Sequence, residues 1–95
     1  MVNLSKDKKP DNGIIVKTIS IPTVNAVKNF VEIACRHNCV ATLVSGRFAI
    51  DAKSMMGVFS LDVSKPIKIE IEIGKNGEDD REAFISAIAE YIIVE

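Results

Sequence analysis

The chain has 95 residues, 47% of them apolar and 26% charged, with a formal net charge of −1. That is one domain's worth of polypeptide in ordinary globular proportions, able to bury roughly two thirds of its unfolded surface. A charge so near zero supplies no field to gather nucleic acid or anionic membrane, and no apolar run approaches the ~18 residues of a membrane span.

Residues 1–12 are polar, rich in Lys and Asp, and include Pro10. They read as a flexible tail ahead of a domain at 13–95. No apolar stretch follows the early lysines, so the segment does not read as a signal peptide, and a cytoplasmic location is expected. "GIIVKTISI" from Gly13 is β-branched and strand-like. Pro22 ends it, and Thr23 is placed to cap the helix that follows. In "TVNAVKNFVEIACRHN", Val27, Phe30, Val31 and Ala34 recur at helical spacing, with Asn25, Lys28, Asn29, Glu32 and Arg36 on the other side. Asn38 suits a left-handed helix terminator. "CVATLVSGRFAID" reads as a hairpin with Ser45-Gly46 between its strands.

Ser54 opens a short helix, about 54 to 60. After Pro66 comes the clearest pattern in the chain. Ile67, Ile69, Ile71 and Ile73 alternate with Lys68, Glu70 and Glu72, as in a strand with one buried and one wet face. "KNG" is a turn. "EDDREAFISAIAEYII" then predicts a long closing helix with acids in its first turn, where the dipole favours them, and an apolar stripe of Phe84, Ala87, Ile88, Tyr91 and Ile92. The order is β-α-β-β-α-β-α. A four-stranded sheet burying one face needs its helices on that face, which gives a two-layer α+β sandwich.

Groups suited to chemistry are few. Cys35, His37 and Cys39 sit within "CRHNC", but no other Cys or His exists in the chain to complete a tetrahedral metal site, so the cysteines read as buried free thiols. His37 has no evident nucleophile or orienting acid and reads as a solvated cation near a helix end. Glu78, Asp79, Asp80 and Glu82 read as a solvated helix start rather than as a metal or acid–base cluster. Gly74 and Gly77 flank a turn and precede no Lys-Ser/Thr pair, so no phosphate loop is present. With aromatic residues at 5%, stacking surfaces for nucleic acid are lacking. No catalytic residue, metal or cofactor is expected.

What remains is "DAKSMMGVFSL", residues 51–61. On a helical wheel Val58 and Leu61 lie together, Met55 and Phe59 share another edge, and Met56 falls between. One buried stripe cannot hold them all. Either Met55, Met56 and Phe59 form an exposed, adaptable binding surface, or the core or the N-terminal tail swallows them. Ser54 is an N-cap in both readings. A phosphate on it would set about two negative charges beside the apolar patch, which is a means of switching partners.

This segment resembles the short second helix of HPr, the histidine-containing phosphocarrier of the bacterial sugar phosphotransferase system, in its Gram-positive form. The element order is similar to that family's over residues 13–93. The resemblance implies an open-faced sandwich with a four-stranded antiparallel sheet and three helices on one face. It also implies that Ser54 is the target of HPr kinase. In the family the active histidine caps the first helix in a Gly-Leu-His-Thr-Arg-Pro-like motif. The family's spacing back from Ser54 puts Thr23 at that position, Asn25 at the phosphate-steadying arginine and Ala26 at the proline. The chain's one histidine, His37, lies at the far end of the helix, about 20 Å away by helical rise.

A phosphothreonine ester is far less reactive than phosphohistidine, and nothing near Thr23 reads as a base to activate it. The resemblance then implies a regulatory, protein-binding module without carrier activity, similar to the catabolite-repression HPr-like protein, which also lacks the histidine and keeps the serine. Its implied partners are proteins: HPr kinase, the phosphotransferase and a transcriptional repressor, docked at Met55, Met56 and Phe59. The alternative is a phosphotransferase-system component, or a scaffold or homodimer module using only the fold, with no phosphorylation. An enzyme is the least favoured class, for want of a convergent polar site.

Overall fold

The computed structural model describes residues 13–93; the expected tail, 1–12, and the last two residues of the expected domain lie outside them. In chain order the elements are β1 (Ile15–Ile19), α1 (Val24–Cys35), β2 (Val40–Ser45), β3 (Phe48–Asp51), α2 (Met55–Phe59), β4 (Ile67–Glu72) and α3 (Arg81–Ala87), then a 3-10 turn, Ala89–Tyr91. The strands form one sheet in the order β1-β4-β2-β3, with every neighbouring pair antiparallel. The expected α+β open-faced sandwich is the observed fold.

Alternation in β4 organises it. Ile67, Ile69 and Ile71 are buried while Lys68 is exposed, so one face of the central strand is dry. Residues directly opposite across a ladder share a face. Ile69 is opposite Leu43, Ile71 is opposite Ala41 and Ile67 is opposite Ile19, all of them buried. The helices cover this surface with Val27, Phe30, Val31 and Ala34 of α1, Val58 of α2, and Phe84 of α3 with Ile88 after it. Phe30 lies at the centre, with ring centroids 6.3 Å from Phe84 and 6.4 Å from Tyr91. Burying an aromatic side chain of this kind contributes about 2–3 kcal/mol. On the edge strand β1, Lys17 falls on the core side opposite Ile69 and stays exposed, an inward charge that discourages further pairing there.

Several local expectations shift. The hairpin turn is Gly46-Arg47, one residue later than expected, because Ser45 pairs with Phe48. Gly46, at φ 60°, supplies the left-handed backbone that such a turn needs. α1 ends at Cys35 with a right-handed cap at Arg36, so Asn38 is not the terminator. Asn38 instead donates its N–H to Asp80 Oδ2 at 3.2 Å. Ile73 lies beyond the end of β4.

The largest departure is the closing helix, which does not run through. α3 stops at Ala87, a 3-10 turn follows, and Ile92 is extended. There it bridges Ile19, while Ile93 N donates to Thr18 O and Ser20 N donates to Tyr91 O, both at 2.8 Å. The free edge of β1 offers main-chain partners to a β-branched Ile-Ile segment, and these outweigh helical continuation. Ala87 is accordingly exposed and not part of the stripe.

The acids also act differently from a solvated first turn. Asp80 is the α3 N-cap without a side-chain cap bond, and Glu82 is the acid inside the turn. Asp79 holds the buried Arg81, accepting from Nε at 2.7 Å and from Nη2 at 2.8 Å, while Nη1 reaches Gly13 O at 2.9 Å. This ties the start of α3 to the lead into β1.

The bonds from Arg81 hold the Asp79 carboxyl down at about 2. A carboxyl depressed in the folded state stabilises fully above its unfolded value, near 4, and that stabilisation is lost as pH falls toward the folded one. Urea midpoints of the chain and of Asp79→Asn should therefore differ most above about pH 4 and converge near pH 2. A Cβ at Gly74 would stand 2.2 Å from Asn38 O, a backbone atom that cannot yield. Gly74→Ala should thus cost at least about 2 kcal/mol in the same assay.

Candidate functional site

Thr23 stands at the N-cap of α1 in extended backbone, φ −117° and ψ 159°, and its Oγ1 accepts the Ala26 N–H at 3.0 Å. Ser54 does the same for α2, its Oγ accepting the Gly57 N–H at 3.1 Å. Both caps are exposed. Ser60 closes α2 after little more than a turn, with Leu61 N donating to Val58 O.

α2 lies very close to the sheet. A Cβ on Gly57 would meet Ile50 Cγ2 at 2.7 Å and Ser54 Oγ at 3.0 Å. So close an approach leaves room beneath for one side chain of the helix, and it is Val58 that is fully buried. The rest turn outward: Met56 is 85% exposed, Phe59 42% and Met55 36%. The wheel left this open, and the structure places all three on the surface beside Ser54.

α1 packs against α2, and the two enclose a groove of about 510 Å³. Asn25, Lys28, Asn29, Glu32 and Cys35 line one side and Met55 the other. Asn25 therefore shares a surface with the α2 patch, although 30 residues separate it from Met55. Glu32 is paired with Arg36 at 3.5 Å along the helix. Val24 is 61% exposed directly after the Thr23 cap, an apolar neighbour that the sequence reading passed over; its signal was a large β-branched residue at the first helical position, outside the buried stripe.

The other candidates are not in this surface, or not as expected. Cys39 is buried, and burial, then the nearby Asp80 charge, pushes its thiol up. Cys35 is exposed rather than buried, with Sγ 3.6 Å from Lys53 O, because the last residue of α1 looks into the groove. His37 is half-buried, not solvated. Its Nδ1 lies 2.9 Å from Ile33 O and its ring 5.5 Å from that of Phe84, so it closes the C-terminal end of α1. Thr23, by contrast, caps the N-terminal end. Among the described residues no group of three or more His, Cys, Asp or Glu is placed to hold a metal ion, and no helix is long and apolar enough to cross a membrane.

The model of the PTS HPr component phosphorylation site family matches residues 23–93. The chain belongs to the HPr family. Its fold is similar to a phosphocarrier protein HPr from Bacillus anthracis str. Ames, with a TM-score of 0.68 and 24% identity over 86% of this chain and 100% of that one. It is also similar to HPr-C-His from Thermoanaerobacter tengcongensis, with a TM-score of 0.62 and 24% identity over 82% of this chain and 88% of that one. No curated protein sequence matches the chain. At this identity the two structures speak to the fold, and the HPr family membership rests on the matched residues.

The exposure pattern sets a test of patch against core. Met56→Asp should move stability by less than about 0.5 kcal/mol, as an exposed substitution, whereas Val58→Ala should cost on the order of 1–3 kcal/mol by opening a cavity. Chemical denaturation of the two variants checks both values.

Proposed function

We propose that this HPr-family chain is a cytoplasmic regulatory module that binds proteins of the phosphotransferase system and of carbon catabolite control without relaying phosphate, and that phosphorylation at Ser54 switches it. The observation that carries the reading is the exposure of Met55, Met56 and Phe59 immediately after an exposed serine. Large apolar groups gathered on a small soluble domain signal a contact surface, and flexible methionine side chains adapt to more than one partner. A phosphoryl group on Ser54 would set roughly two negative charges at the rim of that surface, enough to favour one partner and repel another.

Relay is disfavoured on chemical grounds. A carrier must hold its phosphoryl group in a reactive bond, as imidazole does, and the one histidine of the chain is engaged with Ile33 O at the far end of α1. The α1 cap carries a threonine hydroxyl whose oxygen already accepts the Ala26 N–H. Asn25 supplies a neutral amide where the family's arginine would steady a phosphate.

Incubation with HPr kinase and ATP, followed by intact mass, should add one phosphoryl group that Ser54→Ala abolishes. An unmodified wild-type chain would remove the switch and leave an unmodified binding component. Incubation with phosphoenolpyruvate and the phosphotransferase enzyme should leave the chain unlabelled; acid-labile phosphate would restore carrier activity and overturn the reading.

A further inference from the structure

The two edges of the sheet are treated differently. The edge of β1 is partly closed by the chain's own Ile92-Ile93 segment and carries the inward-facing Lys17. β3 is the opposite edge, and among the described residues nothing pairs with its outer side. Native edges are usually guarded by Lys, Pro or a bulge. The strand here reads Phe-Ala-Ile-Asp, with Phe48 65% exposed and Ala49 also exposed.

The register tells which main-chain groups are free. Ala52 N donates to Ala41 O at 2.9 Å, and Thr42 is opposite Asp51. Bonded and non-bonded pairs alternate along an antiparallel ladder, so Leu43/Ile50 and Ser45/Phe48 are the bonded pairs. The N–H and C=O of Ala49, and the N–H of Asp51, therefore point away from β2. The Asp51 carbonyl is already used by Ser54 N at 2.9 Å.

We propose that β3 is a self-pairing edge, through which two copies of this chain join antiparallel in a register centred on Ala49. The parity of the free groups fits, since Ala49 of each copy can exchange both of its outward main-chain bonds with Ala49 of the other. The side chains fit the same register. "RFAID" is complementary to its own reverse: Phe48 meets Ile50 of the second copy, and Arg47 meets Asp51. Arg47 has no ion pair among the described residues. Asp51 spends Oδ1 on the Lys53 N–H at 2.9 Å, which leaves its second oxygen for the arginine. Opposite charges and apolar pairs facing each other across a ladder are the contacts that stabilise strand pairing.

Such a dimer is isologous, with its two-fold axis perpendicular to the sheet. It makes one continuous sheet with the helices of both copies on the same side. The two α2 patches then face the same way, and a partner carrying two matching sites would gain by avidity. The contact is small, so association is weak and depends on concentration.

The test is sedimentation equilibrium of the full chain up to ~1 mM, alongside Ala49→Pro and Arg47→Glu. Proline at Ala49 removes an N–H that points outward, which an edge strand tolerates. Glutamate at Arg47 sets like charges opposite Asp51. Wild-type mass should rise toward twice that of the monomer, and each substitution should weaken association by about tenfold or more, with the circular dichroism unchanged. If Ala49→Pro fails to fold, Arg47→Glu in the exposed turn still decides. A chain monomeric at ~1 mM, or a dimer that neither change weakens, overturns the proposal. So does a dimer abolished by Met56→Asp alone, which would place the contact on α2. None of these outcomes depends on phosphorylation at Ser54.

Discussion

One-sided burial of β4 is the constraint on which the rest of this molecule depends. Ile67, Ile69 and Ile71 lie on one face of the strand between β1 and β2, and they align with Ile19, Ala41 and Leu43. A one-residue slip of β4 would turn all three isoleucines to water, so the register is strongly fixed. With the other face wet, every helix must cover the same side. α1 and α3 do most of this through Phe30 and Phe84. α2 is left to cover the margin near Ile50 with a single buried valine.

The exposed surface follows from that allotment. A helix of five residues offers about one inward position, and Gly57 brings its backbone too near Ile50 for a second large group beneath. Met55, Met56 and Phe59 are displaced outward by geometry. The sequence could have placed polar residues there at no cost to the core, since exposed helix positions prefer charged or polar side chains. Packing does not require apolar residues at these three exposed positions. Gly57 also donates its N–H to the Ser54 hydroxyl, so the cap lies beside the surface on the same short helix.

Much of the fold was legible in the sequence, for identifiable reasons. The alternation from Ile67 and the stripe Val27, Phe30, Val31, Ala34 are strong periodic signals, and every residue named in them except Ile73 is buried. Thr23 and Ser54 were readable as caps because each precedes an apolar-periodic run, and both do cap. The misreadings fall where local pattern competes with tertiary partners. "AIAEYII" continues a helical spacing, yet the open edge of β1 draws Ile92 and Ile93 into a bridge. Asp79 looked like part of a dipole-matched cluster, and only the fold reveals that it holds a buried arginine which also grips Gly13. Exposure on α2 could not be decided from a wheel, because the wheel does not contain Gly57 against Ile50. Nor could sequence spacing show Asn25 and Met55 across one groove.

The two ends of α1 place different demands on the residues that close them. Stability of the N-terminal end requires only an oxygen that accepts the Ala26 N–H, and Thr23 supplies it. At the C-terminal end the Arg36 N–H already donates to Ile33 O at 3.0 Å, and His37 adds a second bond to that carbonyl and fills space beside Phe84. The imidazole of this chain is thus committed to packing, and exchanging the two residue types would not be neutral. A threonine at position 37 would lose the ring contact with Phe84, and a histidine at position 23 would give up a preferred cap oxygen. The helix is built soundly with the residues where they stand. Its stability therefore exerts no pressure toward an imidazole at the exposed end.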